Sequence, residues 1–210
     1  DVYNVRAIGF HGTDYLTFSE TTPKTLSWNS PFTVSTWVLN PTVGTAECIV
    51  VWSKRTGNLM GEYAALMYGT HNDYGAAAHW TGYYDMPYNQ VPEADKWNHI
   101  VLTFDGMVEK IYVNGELDNM DQRNLFIHED NNIMVGFSGS AAEYLTGYIA
   151  SLRMYDKYFP EDSIPNLMNM DDLDVDYEVS ASFPGEEYFR VSPNPARSNV
   201  SVESSEYIEH

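Results

Sequence analysis

A chain of 210 residues is long enough for one substantial core and an appendage, and its 43% hydrophobic content excludes a disordered tail. Thirty acidic against eleven basic residues leave a formal charge of −19, a field that repels phosphate backbones and anionic headgroups and so argues against nucleic acid or a charged membrane surface as partner. No apolar run reaches the roughly 20 residues of a membrane-spanning helix.

In chain order, the runs RAIGF, DYLTFS, FTVSTWVLN, CIVVWS, YAALMY, GAAAHW, WNHIVLTF, EKIYVNG, NIMVGF and GYIASLRMY fill the first 155 residues. Each is short, most are β-branched or aromatic, and turn residues bound them, so each predicts a strand. Ten strands with no amphipathic helix between them predict an all-β antiparallel sandwich or barrel. The single cysteine, Cys48, falls in an apolar run and reads as a small core residue. Pro160, Glu161 and Asp162 open a helical segment over Phe159–Asn169, which Pro165 limits to a turn or two.

From Tyr158 to Phe189 there are nine acidic residues and no Lys or Arg, the pattern of a solvated linker. Beyond it come a Pro-Asn-Pro turn and the alternating run NVSVE. The expected organisation is a β-domain over 1–169, an acidic linker over 170–188, and a small β-unit that begins at 189 and runs to 210.

In Trp97–Glu116 the side chains of Ile100, Leu102 and Phe104 share one strand face. Asp105-Gly106 and Asn114-Gly115 are turn pairs that tolerate positive φ, so the stretch is a structural hairpin. The order Trp97, His99, Thr103, Asp105-Gly106, Tyr112-Val113-Asn114-Gly115 resembles the signature hairpin of concanavalin A-like, laminin-G-type jelly rolls. Three further segments resemble that family: Ala7–Phe18 its opening hairpin, Phe32–Asn40 its Trp-bearing strand, and Gly147–Asn169 its last strand and short closing helix. The resemblance implies a jelly-roll β-sandwich over residues 5 to 169. It departs at His11 and at Ala150-Ser151, where the family often carries acids, so a structural calcium of that form is not implied. Calcium held by backbone carbonyls would leave no signature in a sequence, and no cofactor or metal site is assigned. Separately, Phe189–Glu203 resembles the start of the C-terminal sorting domain of the Bacteroidetes type IX secretion system. That implies a secreted or cell-surface bacterial protein, with the secretion machinery as one partner.

Catalytic patterns are weak. Glu93–Trp97 lacks the third acid of the Glu-x-Asp-x-Glu strand that glycoside hydrolases of this fold use. Gly136–Ser140 misses the nucleophile-elbow spacing, and an EF-hand loop from Asp172 would place Tyr177 and Phe183 where Gly and Glu are needed. His71, Asn72, Asp73 and His79 lie close in sequence but read as hydrogen-bonding residues near a turn. The most suggestive segment is Tyr68–Trp97, where Trp80, Tyr83, Tyr84 and Tyr88 gather with Asp85 and Asn89. Aromatic platforms with adjacent amides and carboxylates fit the apolar faces and hydroxyls of sugars, although the same aromatics could pin the loop to the sandwich. The expected function is a non-catalytic, glycan-binding or adhesive module. A structural spacer and a hydrolase or lyase of the same fold are the alternatives.

Overall fold

The computed structural model describes residues 5–54, 59–80, 83–129, 131–139 and 143–169, and the strands at 180–182, 188–194, 199–203 and 207–208. The strands are β1 (Val5–Arg6), β2 (Ile8–His11), β3 (Leu16–Thr21), β4 (Phe32–Leu39), β5 (Glu47–Ser53), β6 (Ala64–Tyr68), β7 (Ala77–Ala78) and β8 (Trp97–Phe104). They continue as β9 (Val108–Val113), β10 (Glu116–Gln122), β11 (Asn132–Val135), β12 (Thr146–Tyr155), β13 (Ser180–Ser182), β14 (Tyr188–Asn194), β15 (Asn199–Glu203) and β16 (Tyr207–Ile208).

Two antiparallel sheets form a jelly-roll sandwich. One runs β10-β9-β8-β4-β12, with β2 also paired to β12; the other runs β3-β11-β5-β6-β7. The β8–β9 and β9–β10 hairpins occur where the turn pairs place them, and Asn114 and Gly115 both take positive φ in the second turn. Strand β10 carries no apolar run in the sequence. It sits at the sheet edge with polar side chains, where little alternation is required. The opening pair does not form a hairpin: β2 pairs with β12 and β3 with β11, so the chain crosses between the sheets at Gly12–Tyr15.

Alternation in β4 and β8 turns Phe32, Val34, Ile100, Leu102 and Phe104 inward, and Val50, Trp52, Leu66 and Tyr68 meet them from the facing sheet. Phe32 is central, 5.2 Å from the Trp52 ring and 5.5 Å from Phe104. Cys48 is fully buried on the outer side of its strand with Val51, Ala65 and Met67. The expected closing helix is a 3-10 helix, Glu161–Met168, whose Ile164 and Leu167 cover Val101 and Tyr112. Strands β14 and β15 pair as a hairpin, and β15 joins the outer half of β12 through Arg153 and Met154. Most of the expected linker lies outside the described residues, and Ser180–Ser182 within it forms the short strand β13.

Phe32→Ala removes the ring that both sheets share. A loss of about 3–5 kcal/mol is expected, read as a lower urea midpoint.

Candidate functional site

Strands β5 and β6 are antiparallel, so the loop between them lies at one end of the sandwich. Around that end an open groove of about 610 Å³ is lined by Met60, Tyr83, Tyr84, Met107, Gln122, Arg123 and Asn124. Tyr83 is 85% exposed, the most of any large apolar or aromatic side chain described. Tyr84 packs its body on the main core. Gly61 makes this approach: its φ is +82°, and a Cβ there would stand 3.2 Å from the Tyr84 ring. Trp80, 42% exposed, follows His79, whose carbonyl accepts the Gly61 N–H beside Met60.

The expected glycan residues therefore divide. Tyr83 and Tyr84 line the groove; Trp80 and Asp85 flank them, with the Asp85 carboxylate accepting from the His79 backbone N–H. Tyr88 is a core residue, only 7% exposed, and its hydroxyl donates to the Met67 carbonyl at 2.9 Å. Its burial against the apolar core removes it from the candidate surface. Asn89 is spent on the scaffold: its N–H donates to Asp118 Oδ2 at 2.7 Å and its amide to the Asp118 carbonyl. Gln122 at the end of β10, with Arg123 and Asn124 after it, and Met60 and Met107 from two other loops also line the groove. Nothing in their local sequence distinguishes them.

A buried polar network fixes the aromatic loop. His79 is fully buried; its Nδ1 lies 2.8 Å from the Tyr63 carbonyl and its Nε2 lies 2.7 Å from Glu109 Oε1. A carbonyl only accepts, so Nδ1 carries hydrogen, and the proton between Nε2 and Glu109 makes an imidazolium–carboxylate pair. Burial alone pulls the His79 pKa down, but the Glu109 charge, its hydrogen bond and the Tyr63 carbonyl outweigh that and raise it above 6.5. The His79 N–H donates to Asp85 Oδ1, and burial raises the Asp85 pKa despite that bond.

Arg123 closes the network. Its Nε lies 3.8 Å from Glu109 Oε2 and donates to the Tyr84 carbonyl at 2.8 Å. Its other nitrogens donate to the Asp85 and Gln122 carbonyls and to Asp121 Oδ2, the last at 2.7 Å. The guanidinium is 3% exposed. It holds the loop and presents little charge to the groove.

A second cleft, of about 350 Å³, lies at the opposite end, before β5 and after β6. Glu47, His71, Tyr74, Glu143 and Tyr144 line it. His71 stacks on Tyr74 with ring centroids 3.6 Å apart, beyond the end of β6 opposite to the one where His79 meets the Tyr63 carbonyl. Tyr74 donates to Glu143 at 2.7 Å, and Glu47 Oε2 accepts from Asn40 and from the Thr146 N–H. Burial raises the Glu47 pKa. Among the described residues, no group of three or more His, Cys, Asp or Glu gathers as a metal site.

Residues 10–165 match the sequence profile of the concanavalin A-like lectin/glucanases superfamily. No curated protein matches the chain. Among solved structures it is similar to a provisionally assigned carbohydrate-binding protein of Bacteroides ovatus, at 16% identity and TM-score 0.63, over 99% of this chain and 60% of that one. It is similar to the sialidase carbohydrate-binding module CBM40 of Ruminococcus gnavus bound to α2,3-sialyllactose, at 16% identity and TM-score 0.58, over 80% of this chain and 98% of that one. A heptameric SAP-like pentraxin of Limulus polyphemus is also similar, at 14% identity and TM-score 0.54, over 96% and 95%.

Glu109→Gln removes the anion between two buried cations. It should cost about 3–5 kcal/mol in urea unfolding at pH 6. The raised His79 pKa gives stability that is fully present below pH 6.5 and is lost as pH rises through the raised value. The parent chain should therefore lose stability on the alkaline side of that value, and Glu109→Gln should flatten this part of the profile.

Proposed function

We propose that this chain, which belongs to the concanavalin A-like lectin/glucanases superfamily, is a non-catalytic carbohydrate-binding or adhesive module whose glycan lies in the groove under Tyr83. The observation that carries this reading is the groove itself. An exposed Tyr83 and a half-buried Tyr84 stand beside the side-chain amides of Gln122 and Asn124. The apolar face of a sugar ring packs on such an aromatic, and amides pair with its hydroxyls. The groove lies on loops carried by a rigid sandwich, where binding residues are commonly displayed.

The favoured ligand is uncharged. Arg123, the basic residue that lines the groove, is committed to protein acceptors. The exposed carboxylate of Asp121 and the chain's charge of −19 oppose an anionic polymer. The carbohydrate-binding relatives support the ligand class. At 16% identity they carry the fold, so the assignment to the groove rests on its own residues.

The competing reading is a hydrolase of the same fold, and the second cleft is where it would act. There Glu47, with its raised pKa, and Glu143 line one opening, as a general acid and its partner would. A spacer without a ligand is the remaining alternative. The wider context is a secreted or cell-surface bacterial protein, with residues 189–210 beginning a type IX sorting domain that engages the secretion machinery. The run Ser192-Pro193-Asn194-Pro195-Ala196 supports this. Residues 1–169 would then be the module and 170–188 its linker.

Affinity electrophoresis through soluble laminarin, xyloglucan, galactomannan, arabinan and polygalacturonate tests the reading. Retardation by an uncharged polymer is expected, weakened about tenfold or more by Tyr83→Ala and unchanged by Glu47→Gln. Release of reducing sugar that Glu47→Gln abolishes would favour the hydrolase. A folded chain that no polymer retards would leave the spacer.

A further inference from the structure

The groove does not account for all the exposed aromatic surface at its end of the sandwich. Trp28 is 59% exposed, and the structure holds it at φ +59°; Trp80 is the other exposed tryptophan, at φ +73°. A bulky side chain in the left-handed region is a true outlier that a fold retains only under constraint, and such strain concentrates at functional positions. Asp95, Asn114 and Ser151 also have positive φ; Asp and Asn adopt it readily, and Ser151 sits at the irregularity in the β12–β4 pairing between Ala150 and Arg153.

Backbone hydrogen bonds link His79, the residue before Trp80, through Gly61 to Phe126, and link Trp28 to Ile127, the residue after Phe126. The Gly61 N–H donates to the His79 carbonyl at 2.8 Å, and the Phe126 N–H donates to the Gly61 carbonyl at 2.9 Å. The neighbouring Ile127 exchanges bonds with Trp28, at 2.6 and 3.3 Å. These pairings place Trp28 and Trp80 at the same end of the sandwich, a few inter-strand spacings apart. Phe126 and Met60 lie between them, both with exposed apolar surface. On its other side the Trp28 ring lies 6.3 Å from that of His128, whose Nε2 meets Glu62.

We propose that Trp28 is a second stacking platform, so that the rim binds an extended, uncharged polysaccharide chain across several sugar residues rather than one terminal sugar. This rests on the carbohydrate-binding reading and goes beyond it by fixing the length and path of the ligand. The chain runs from Tyr83 and Trp80, past Met60 and Phe126, to Trp28. The strain at Trp28 then has a reason: it keeps the indole on the rim and out of the core.

The test uses the full chain in affinity electrophoresis through laminarin, xyloglucan, galactomannan and arabinan, with thermal melting as a control. Trp28→Gly suits the left-handed backbone and should melt at or above the parent temperature. It should weaken binding to the retarding polymer about tenfold, comparably to Tyr83→Ala. Calorimetry with a disaccharide of the same polymer should show a loss for Tyr83→Ala and none for Trp28→Gly. Parent-like retardation of Trp28→Gly, with Tyr83→Ala impaired, would overturn the extended platform and leave the groove reading standing. A clear fall in melting temperature for Trp28→Gly would make the indole a structural residue and also overturn it. Failure of the parent chain to be retarded by any polymer would remove both readings.

Discussion

Glu109 lies between His79 and Arg123 inside the sandwich, and the end of the molecule that carries the aromatic groove depends on it. Two buried cations require a buried anion, because each charge taken from water costs several kcal/mol unless it is paired. Glu109 supplies it from β9, within the hairpin sheet, while His79 and Arg123 belong to the loops on either side. Through these contacts the peptide groups of Tyr84, Asp85 and Gln122 gain fixed donors. The aromatic loop is therefore anchored to the most regular part of the fold. An interior dielectric makes such a network rigid when satisfied and costly when broken.

The fold was largely legible because its signals are local. Alternation in Phe32–Leu39 and Trp97–Phe104 declares which residues face inward, and Asp-Gly and Asn-Gly mark the turns. Two features escaped. Strand β10 is polar because an edge strand has little to bury, so its sequence has no period to read. Gly12–Tyr15 looks like a hairpin turn, yet the strands it joins belong to different sheets. Turn chemistry specifies a reversal and does not say which sheet receives the next strand.

The site was legible only in part, for a related reason. Of the six candidate residues in Tyr68–Trp97, Tyr83 and Tyr84 line the groove, and Trp80 and Asp85 flank them in the chain. Tyr88 and Asn89 do not, because a tyrosine in an apolar setting and an asparagine beside a turn look alike in sequence whether exposed or spent. Trp28 comes from one loop and Gln122 and Asn124 from the end of β10 and the segment after it, and long-range pairing alone brings them to the same end. A φ of +59° at Trp28 has no sequence signature, since tryptophan does not favour that region.

Charge and shape converge on the same ligand class. The groove offers exposed aromatic faces and amides, its arginine is committed inward, and the chain as a whole is strongly acidic. Glu47 and Glu143 lie at the other end of the sandwich, so the two functional readings predict different places for a bound sugar. Hydrogen–deuterium exchange of the full chain, with and without a retarding neutral polysaccharide, separates them directly. The account predicts new protection at residues 59–63, 83–86 and 122–128. Protection confined to residues 44–47, 70–74 and 143–145 would contradict it and place the ligand in the acidic cleft.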